Sequence, residues 1–301
     1  MSAISRFIDY ISVEKQYSER TIGEYQSDIC SFCASVGVDP EDFNPGEYAE
    51  ADVKNWMLEM LNKGNKPRSV KRRLSALSSF YRFLLRRQIV QRDITRKIVS
   101  PKADKPLPVF FKPSEMALAT AYDDRADDYE SMRNCLIIEM LYQTGMRRTE
   151  LVNLPDVNVD TTNGEVRIFG KRKKERLVPI GEKLCKQIEA FRPVRDAWRA
   201  EHPGSAREGF FMDVSKHTLY TIVRARMGEV STLKKHSPHV LRHTFATTML
   251  NNGANIRSIQ SLLGHASLAT TQVYAHTTFA QIQEAYRHSH PRAIQTMKEK
   301  K

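Results

Sequence analysis

Four prolines, Pro101, Pro106, Pro108 and Pro113, interrupt one short stretch of this 301-residue chain. Proline lacks the backbone N–H and disfavours helix in the residue before it, so no regular element is expected to run through this stretch. Apolar residues at helical spacing occur on both sides of it. The sequence therefore predicts two domains, residues 1–100 and 114–301, joined by a linker at 101–113, and the length suffices for two modest cores.

Residues 1–100 show the periodicity of four helices. Phe7 belongs to the apolar face of the first, and Ser18 can cap the second. Trp56 belongs to the third, which should end near Gly64. The fourth is expected to start at about Pro67, because proline is favoured in the first turn of a helix. We therefore expect a helical first domain.

The second domain is expected to be mainly helical with a small antiparallel β-sheet. An apolar helix at 132–142 should stop at Gly145. Between 157 and 180 the period changes to that of strands, with a hairpin turn at Asn163-Gly164. Strands at 166–169 and 177–180 then enclose a basic tip at 170–176. The predicted fold class is thus mainly α in a two-domain chain, a helical domain followed by an α+β domain.

Composition limits the compartment and the chemistry. Hydrophobic residues make up 41% of the chain and charged residues 27%, as in soluble globular proteins, and no apolar run is long enough to cross a membrane. The N-terminus lacks a signal-peptide pattern, so we expect a cytoplasmic protein. Cys30 and Cys33 form a C-x-x-C without a matching second pair, which favours buried small side chains over a zinc or redox site.

Charge is unevenly distributed along the chain. Residues 1–50 carry 3 Lys/Arg against 10 Asp/Glu, whereas residues 66–105 carry 13 Lys/Arg against 2 Asp/Glu. Such a concentrated basic block indicates a polyanionic partner, and core residues at helical spacing within it favour nucleic acid over a membrane surface. The candidate DNA-binding residues on the fourth helix are Lys66, Arg68, Lys71, Arg72 and Arg73.

Imidazole, guanidinium and phenol groups recur near the C-terminus, in His239-Val240-Leu241-Arg242-His243, Leu262-Leu263-Gly264-His265 and Val273-Tyr274. A guanidinium binds two phosphate oxygens through its planar fork. Histidine can accept a phenol proton near neutral pH, and tyrosine needs such help because its pKa is about 10. This combination indicates attack of a tyrosine on a phosphodiester.

These segments, with Thr144-Gly145-Met146-Arg147, Glu150-Leu151 and Lys171, resemble the signature of the tyrosine recombinase (phage integrase) family. The resemblance covers roughly residues 110–290, and the helical front half resembles the SAM-like core-binding domain of that family. The tail at 288–293 resembles that of Xer-type members. The resemblance implies six catalytic residues, namely Arg147, Lys171, His239, Arg242, His265 and the nucleophile Tyr274.

The resemblance also implies supporting roles. Glu150 would orient an arginine, and His243 would be structural. Lys171, fixed at a strand end, would be the general acid. Arg148 and Arg172 are further DNA-binding candidates. Two histidines four residues apart can also form a zinc site, but Arg242 between them would repel the metal.

The activity implied is strand cleavage and rejoining through a 3′-phosphotyrosine and a Holliday junction, without cofactor or metal. The implied partners are a double-stranded recombination site and further protomers in a tetramer on two sites. A sister recombinase and a DNA translocase activator are further candidate partners. The C-terminal helix carries an apolar stripe of Phe279, Ile282, Ala285 and Tyr286, which must be buried. The resemblance implies docking on a neighbouring protomer, and the alternative is a helix that folds back on its own domain.

Several functions remain open from the sequence. Xer-type chromosome dimer resolution leads, and a mobile-element integrase or DNA invertase would use the same residues. A type IB topoisomerase shares the tyrosine chemistry. A catalytically silent DNA-binding protein would need only the basic block, and the complete set of six residues argues against it.

Overall fold

The computed structural model describes residues 2–102, 109–121, 128–170, 175–264 and 279–293. The chain divides into two compact units, Met1–Pro106 and Leu107–Lys301. This division falls inside the predicted linker, and the domain limits 1–100 and 114–301 stay a prediction. The backbone N–H of Phe111 donates to Oγ1 of Thr244 at 3.0 Å, so the second unit already includes Phe111.

The first unit contains the four predicted helices. Ser18 caps the second of them, since its side chain accepts a hydrogen bond from the N–H of Thr21. The first helix continues into a π-helical turn at Tyr10–Glu14. The helices are α1 (Ala3–Asp9), α2 (Glu19–Ser35), α3 (Glu50–Asn62) and α4 (Pro67–Arg86).

Aromatic side chains from all four helices form the core of this unit. Phe7 packs edge-on against Phe80 with ring centroids 5.3 Å apart, and Phe32 packs likewise against Trp56 at 5.4 Å. Cys33 is buried beside them, and burial raises the pKa of its thiol to about 12, as expected of a structural cysteine. Because α4 turns its apolar face to this core, its basic residues lie on the outside.

The second unit is built around a helix, α6, whose side chains are almost all buried. Its described helices are α5 (Pro113–Ala119), α6 (Tyr129–Thr144), α7 (Arg148–Val152), α8 (Glu182–Glu201), α9 (Lys216–Val230), α10 (Pro238–Asn251), α11 (Ile256–Leu263) and α12 (Phe279–Ser289).

A three-stranded antiparallel sheet lies in the same unit, as the sequence predicts. Its strands are β1 (Val159–Asp160), β2 (Glu165–Phe169) and β3 (Glu175–Pro179), in that order. Gly164 has a φ of +65°, which suits the predicted turn and joins β1 to β2. The predicted tip at 170–176 is too long, because β3 begins at Glu175 and includes Arg176. The remaining tip, residues 171–174, lies outside the described residues.

The expectation that the C-terminal helix docks on another protomer instead of its own core is wrong for Tyr286. This side chain is 1% exposed and its hydroxyl donates to Oε1 of Gln143 in α6 at 3.1 Å. The buried ring of His290 stacks on Tyr286, with centroids 4.9 Å apart. Tyr286 is thus buried within its own unit, with its hydroxyl hydrogen-bonded to α6. The side chains of Phe279 and Ile282 lie outside the described residues.

Candidate active site

Arg242 lies on α10 and is only 8% exposed. Its Nη1 donates to the carbonyl oxygen of Gly145 and its Nη2 to that of Leu263, both at 2.6 Å. These carbonyls end α6 and α11, where unpaired backbone oxygens favour a cation. Two helix ends therefore hold the guanidinium in one orientation.

Both helix ends require glycine. Gly145 and Gly264 follow α6 and α11 with φ values of +58° and +63°, in the left-handed region that glycine favours. A Cβ on Gly145 would lie 2.5 Å from Cδ1 of Phe245, so a larger residue there would displace the aromatic ring. The Thr144-Gly145 and Leu263-Gly264 segments thus present the two carbonyl oxygens that hold Arg242.

Glu150 connects two further arginines. Its Oε1 accepts from Nη1 of Arg147 at 2.7 Å, and its Oε2 accepts from the backbone N–H of Arg147 at the same distance. Arg176, on β3, donates Nη1 to Oε1 at 3.2 Å and Nη2 to Oε2 at 2.7 Å. The predicted role of Glu150 in orienting an arginine stays a prediction, but its carboxylate is placed to hold both guanidiniums.

Electrostatics make this arginine cluster, Arg147, Arg176 and Arg242, strongly positive. Burial, together with the charges of Arg147 and Arg176, lowers the pKa of Arg242 to about 10, so it remains protonated at neutral pH. Burial alone would raise the pKa of Glu150, but hydrogen bonds and charge from Arg176 and Arg147 lower it below its usual value. Three guanidiniums and one ionised carboxylate leave two positive charges in excess, which favours an anion at this site.

The two described histidines of the signature lie on the same helix as Arg242. His239 is exposed in the first turn of α10, and His243 is half-buried one turn later. The spacing of three residues between His239 and Arg242 places them on neighbouring positions of one helix face. The proton-accepting role of His239 and the structural role of His243 stay predictions.

Four predicted site residues lie outside the described residues. Lys171 and Arg172 belong to the tip between β2 and β3, and His265 and Tyr274 follow the end of α11 at Leu263. The flanking elements are described on both sides of the tip. Arg176, on the strand that leaves it, takes part in the cluster.

The basic residues predicted to bind DNA divide into two kinds. Lys66, Arg68 and Lys71 are exposed on α4. Arg72 instead donates Nη1 and Nη2 to the two carboxylate oxygens of the buried Asp28, at 2.6 and 2.9 Å, although its own side chain remains partly exposed. Arg73 and Arg148 resemble Arg72 in having partners within their own units. The side chain of Arg73 lies 3.7 Å from Asp28, and the guanidinium of Arg148 lies over the ring of Tyr220.

Sequence reasoning missed Arg176. A basic residue next to a basic hairpin tip suggests only an electrostatic role, and its partners are distant in sequence. A local signal existed, because side chains alternate between the two faces of a strand. Arg176 is two residues before the apolar Val178 and should therefore point to the same, inward face. An arginine there requires a buried acceptor, and Glu150 is that acceptor.

The cluster does not suit a metal ion, because guanidiniums repel cations and cannot donate a lone pair. Within the described ranges, no group of three or more His, Cys, Asp or Glu side chains could hold a metal. None of the helices described is long and apolar enough to cross a membrane.

Family models match both units. Residues 111–281 match the phage integrase family, and residues 4–88 match its N-terminal SAM-like domain. The first of these spans contains all six residues predicted to be catalytic.

Relatives cover nearly the full chain. Tyrosine recombinase XerC of Anoxybacillus flavithermus is 36% identical and the match covers 96% of this chain and 98% of the relative. Tyrosine recombinase XerD of Oceanobacillus iheyensis is 30% identical over 97% and 99%. The crystal structure of XerH recombinase bound to difH substrate in a pre-cleavage complex has a TM-score of 0.62 and 20% identity, covering 95% of this chain and 84% of that one. At that identity the likeness concerns the fold. This chain belongs to the phage integrase family, as a tyrosine recombinase of the Xer type.

Proposed function

We propose that this chain cuts and rejoins DNA at a specific site through a covalent 3′-phosphotyrosine at Tyr274. The excess of two positive charges in the arginine cluster is the observation that carries this proposal. A phosphodiester carries one negative charge, and further negative charge develops on its oxygens as an oxygen nucleophile attacks. Fixed guanidiniums stabilise that developing charge without having to reorganise during the reaction.

Each signature residue has a role in this reaction. Arg147, Arg242 and His265 bind the non-bridging phosphate oxygens. His239 accepts the phenol proton of Tyr274 as its oxygen attacks phosphorus. A family resemblance carried residue by residue supports these roles, and the placement of Arg147 and Arg242 around Glu150 and Gly145 is consistent with them.

The bonds balance without a cofactor. The phosphorus–tyrosine bond forms as the bond to the 5′-oxygen breaks, and Lys171 supplies the proton to that oxygen. The 5′-hydroxyl of a partner strand then attacks the phosphotyrosine and releases Tyr274. Because one phosphoester replaces another at each step, the reaction consumes no ATP.

DNA binding by the first unit rests on α4. Lys66, Arg68 and Lys71 are exposed there and form no ion pair with a described residue, so their charge is available to phosphates. Arg72 and Arg73, although predicted to bind DNA, are held near Asp28 and contribute less. Arg148, and Arg172 on the strength of its basic sequence surroundings, remain our candidates for DNA contacts in the second unit.

The biological reaction we propose is chromosome dimer resolution in the cytoplasm, since the relatives named above are XerC and XerD recombinases. It requires four protomers on two recombination sites and a Holliday junction. A sister recombinase and a DNA translocase activator fit that reaction.

A suicide substrate with a nick beside the scissile phosphate tests the chemistry. Wild-type protein should form a protease-sensitive protein–DNA adduct in excess EDTA, because arginines and not metal meet the phosphate charge. Tyr274→Phe should bind the same DNA and give no adduct. An adduct at wild-type yield with Tyr274→Phe, or one that needs magnesium, would overturn the proposal.

A further inference from the structure

Arg176 uses all its guanidinium nitrogens within the second unit. Its two Nη atoms donate to the carboxylate of Glu150, and its Nε donates to the carbonyl oxygen of Leu262 at 2.7 Å. The side chain is only 9% exposed. Because each guanidinium nitrogen has a hydrogen-bond acceptor, Arg176 is a structural cross-link and not a surface charge.

This cross-link connects three elements, β3, α7 and α11. Glu150 belongs to α7, whose N-cap residue is Arg147, and Leu262 belongs to the last turn of α11. Arg242 donates to the very next carbonyl, that of Leu263. Two arginines therefore hold consecutive carbonyls from different sides, immediately before the chain continues to His265.

Close packing reinforces this arrangement. A Cβ on Gly264 would lie 3.2 Å from Nη1 and 3.3 Å from Cδ of Arg176. The helix end and the arginine are thus in near contact, and the glycine leaves the space that the guanidinium needs.

The same residue anchors the base of the basic hairpin. Arg176 pairs with Ile168 across the β2–β3 ladder, next to the last pair, Phe169 with Glu175. The tip at 171–174, which includes Lys171, starts just beyond that pair. Arg176 therefore lies on the strand that directly follows residues 171–174 in the chain.

We propose that Arg176 is a positioning residue that fixes the base of this hairpin, and with it the general acid at its tip, relative to Glu150 and the end of α11. This inference rests on the proposed function, since it assumes Lys171 as the proton donor. Lysine cannot replace Arg176, because a single ammonium cannot span the carboxylate and the Leu262 carbonyl as the planar fork does.

Single-turnover cleavage by Arg176→Lys on two suicide substrates tests this role. One substrate has the ordinary 5′-oxygen, and the other has sulfur at that bridging position, which leaves without an acid. We expect a loss on the order of 10²-fold with oxygen, because misplacement of a catalytic group by about 1 Å costs that much. The loss with sulfur should be distinctly smaller, and DNA affinity should be unchanged.

Arg167→Lys is the matched control. Arg167 lies on β2 of the same hairpin, its side chain is half exposed, and it pairs with Glu175 at 3.3 Å without touching the cluster. The Arg167→Lys protein should cleave both substrates at the wild-type rate. Equal losses by Arg176→Lys on oxygen and sulfur, or behaviour like Arg167→Lys, would overturn the inference.

Instability of Arg176→Lys is addressed by a second variant. Glu150→Gln with Arg176→Met removes one negative and one positive buried charge together, so the net charge of the cluster is unchanged, while Arg147 loses its carboxylate partner. This double variant should melt near wild type and still show the larger loss with oxygen. Wild-type cleavage by this variant would sink the inference, whereas failure of the wild-type protein to form an adduct with either substrate would refute the proposed function itself.

Discussion

Arginines in the two units are held in opposite ways. On α4 of the first unit, Arg68 and the neighbouring Lys71 extend into solvent without an ion-pair partner among the described residues. In the second unit, Arg242 is buried, with helix-end carbonyls as its acceptors, and Arg176 is held by a carboxylate. Residues of similar charge are therefore exposed and unpaired among the described residues in one place, and buried with fixed acceptors in the other.

Exposed and buried cations should contribute to different properties, the first to DNA affinity and the second to the rate of the chemical step. An exposed cation attracts a phosphate anywhere along its reach and gains mainly from counterion release. A fixed guanidinium contributes only where its geometry matches the transition state, and there it is worth far more. We therefore expect substitutions in the second unit to change rates and substitutions on α4 to change binding.

Arg242→Lys should show the largest effect. Lysine cannot reach both the Gly145 and Leu263 carbonyls, so the single-turnover cleavage rate at saturating DNA should fall by about 10²- to 10³-fold. A carbonyl left without a donor should also cost about 1–3 kcal/mol in the free energy of unfolding.

Arg226→Lys controls for the loss of carbonyl contacts as such. Arg226 donates to the carbonyl oxygens of Leu118, Ala119 and Ala121 at the end of α5, away from the cluster. The Arg226→Lys protein should be less stable than wild type but should cleave DNA at the wild-type rate. Normal cleavage by Arg242→Lys would contradict the role of a fixed guanidinium.

The next largest effect should be a difference between the two units in how acid changes their stability. Complete burial lowers the pKa of His290 to about 3, so the folded second unit holds it neutral while the unfolded chain protonates it near pH 6.5. The unfolded state then binds more protons between these values. Stability therefore falls as the pH drops through this window, by about 1.4 kcal/mol per pH unit. Glu150, whose pKa is lowered, adds a loss below about pH 4.5.

The first unit should resist this change. Its residues include no histidine, and burial raises the pKa of Asp28 despite the hydrogen bond from Arg72. A raised carboxyl pKa favours the folded state as the pH falls. Urea unfolding at pH 7 and pH 4.5 can be followed for each unit with Trp56→Phe and Trp198→Phe, which leave one tryptophan each. Equal destabilisation of both units would contradict this prediction.

The smallest effect should come from α4. Arg68→Gln with Lys71→Gln should reduce the slope of log affinity against log salt by about 1.8, since each phosphate contact contributes about 0.9. Arg72 is left unchanged because it binds Asp28. Arg20→Gln with Lys63→Gln removes two paired cations of the same unit and should leave the slope unchanged. A slope unaffected by the first pair would place DNA elsewhere.

Local patterns predicted the elements of this fold well. Ser18, Gly145 and Asn163-Gly164 mark their helix and turn boundaries through backbone chemistry that acts within a few residues. The site was predicted only as far as the family signature extends. Arg176 was missed because its partners lie 26 and 86 residues away, at Glu150 and Leu262.

Long-range pairing also explains the weaker predictions. The basic face of α4 includes Arg72, whose partner Asp28 is 44 residues away and is not visible in the local pattern. Likewise, the spacing of Tyr286 shows that the C-terminal helix must bury a stripe, but it does not show against which surface. Removing residues 279–301 should accordingly destabilise the second unit, contrary to a purely protomer-docking role.

Replacing the scissile phosphate by a neutral methylphosphonate tests most directly whether the fixed guanidiniums act by neutralising charge. On the ordinary phosphate, Arg242→Ala, which removes the positive charge that a lysine would keep, should cleave at least about 10²-fold more slowly than wild type. On the methylphosphonate, which lacks one negative charge, that penalty should shrink by about tenfold or more. The same penalty on both substrates would contradict charge neutralisation and would leave Arg242 with a purely structural role.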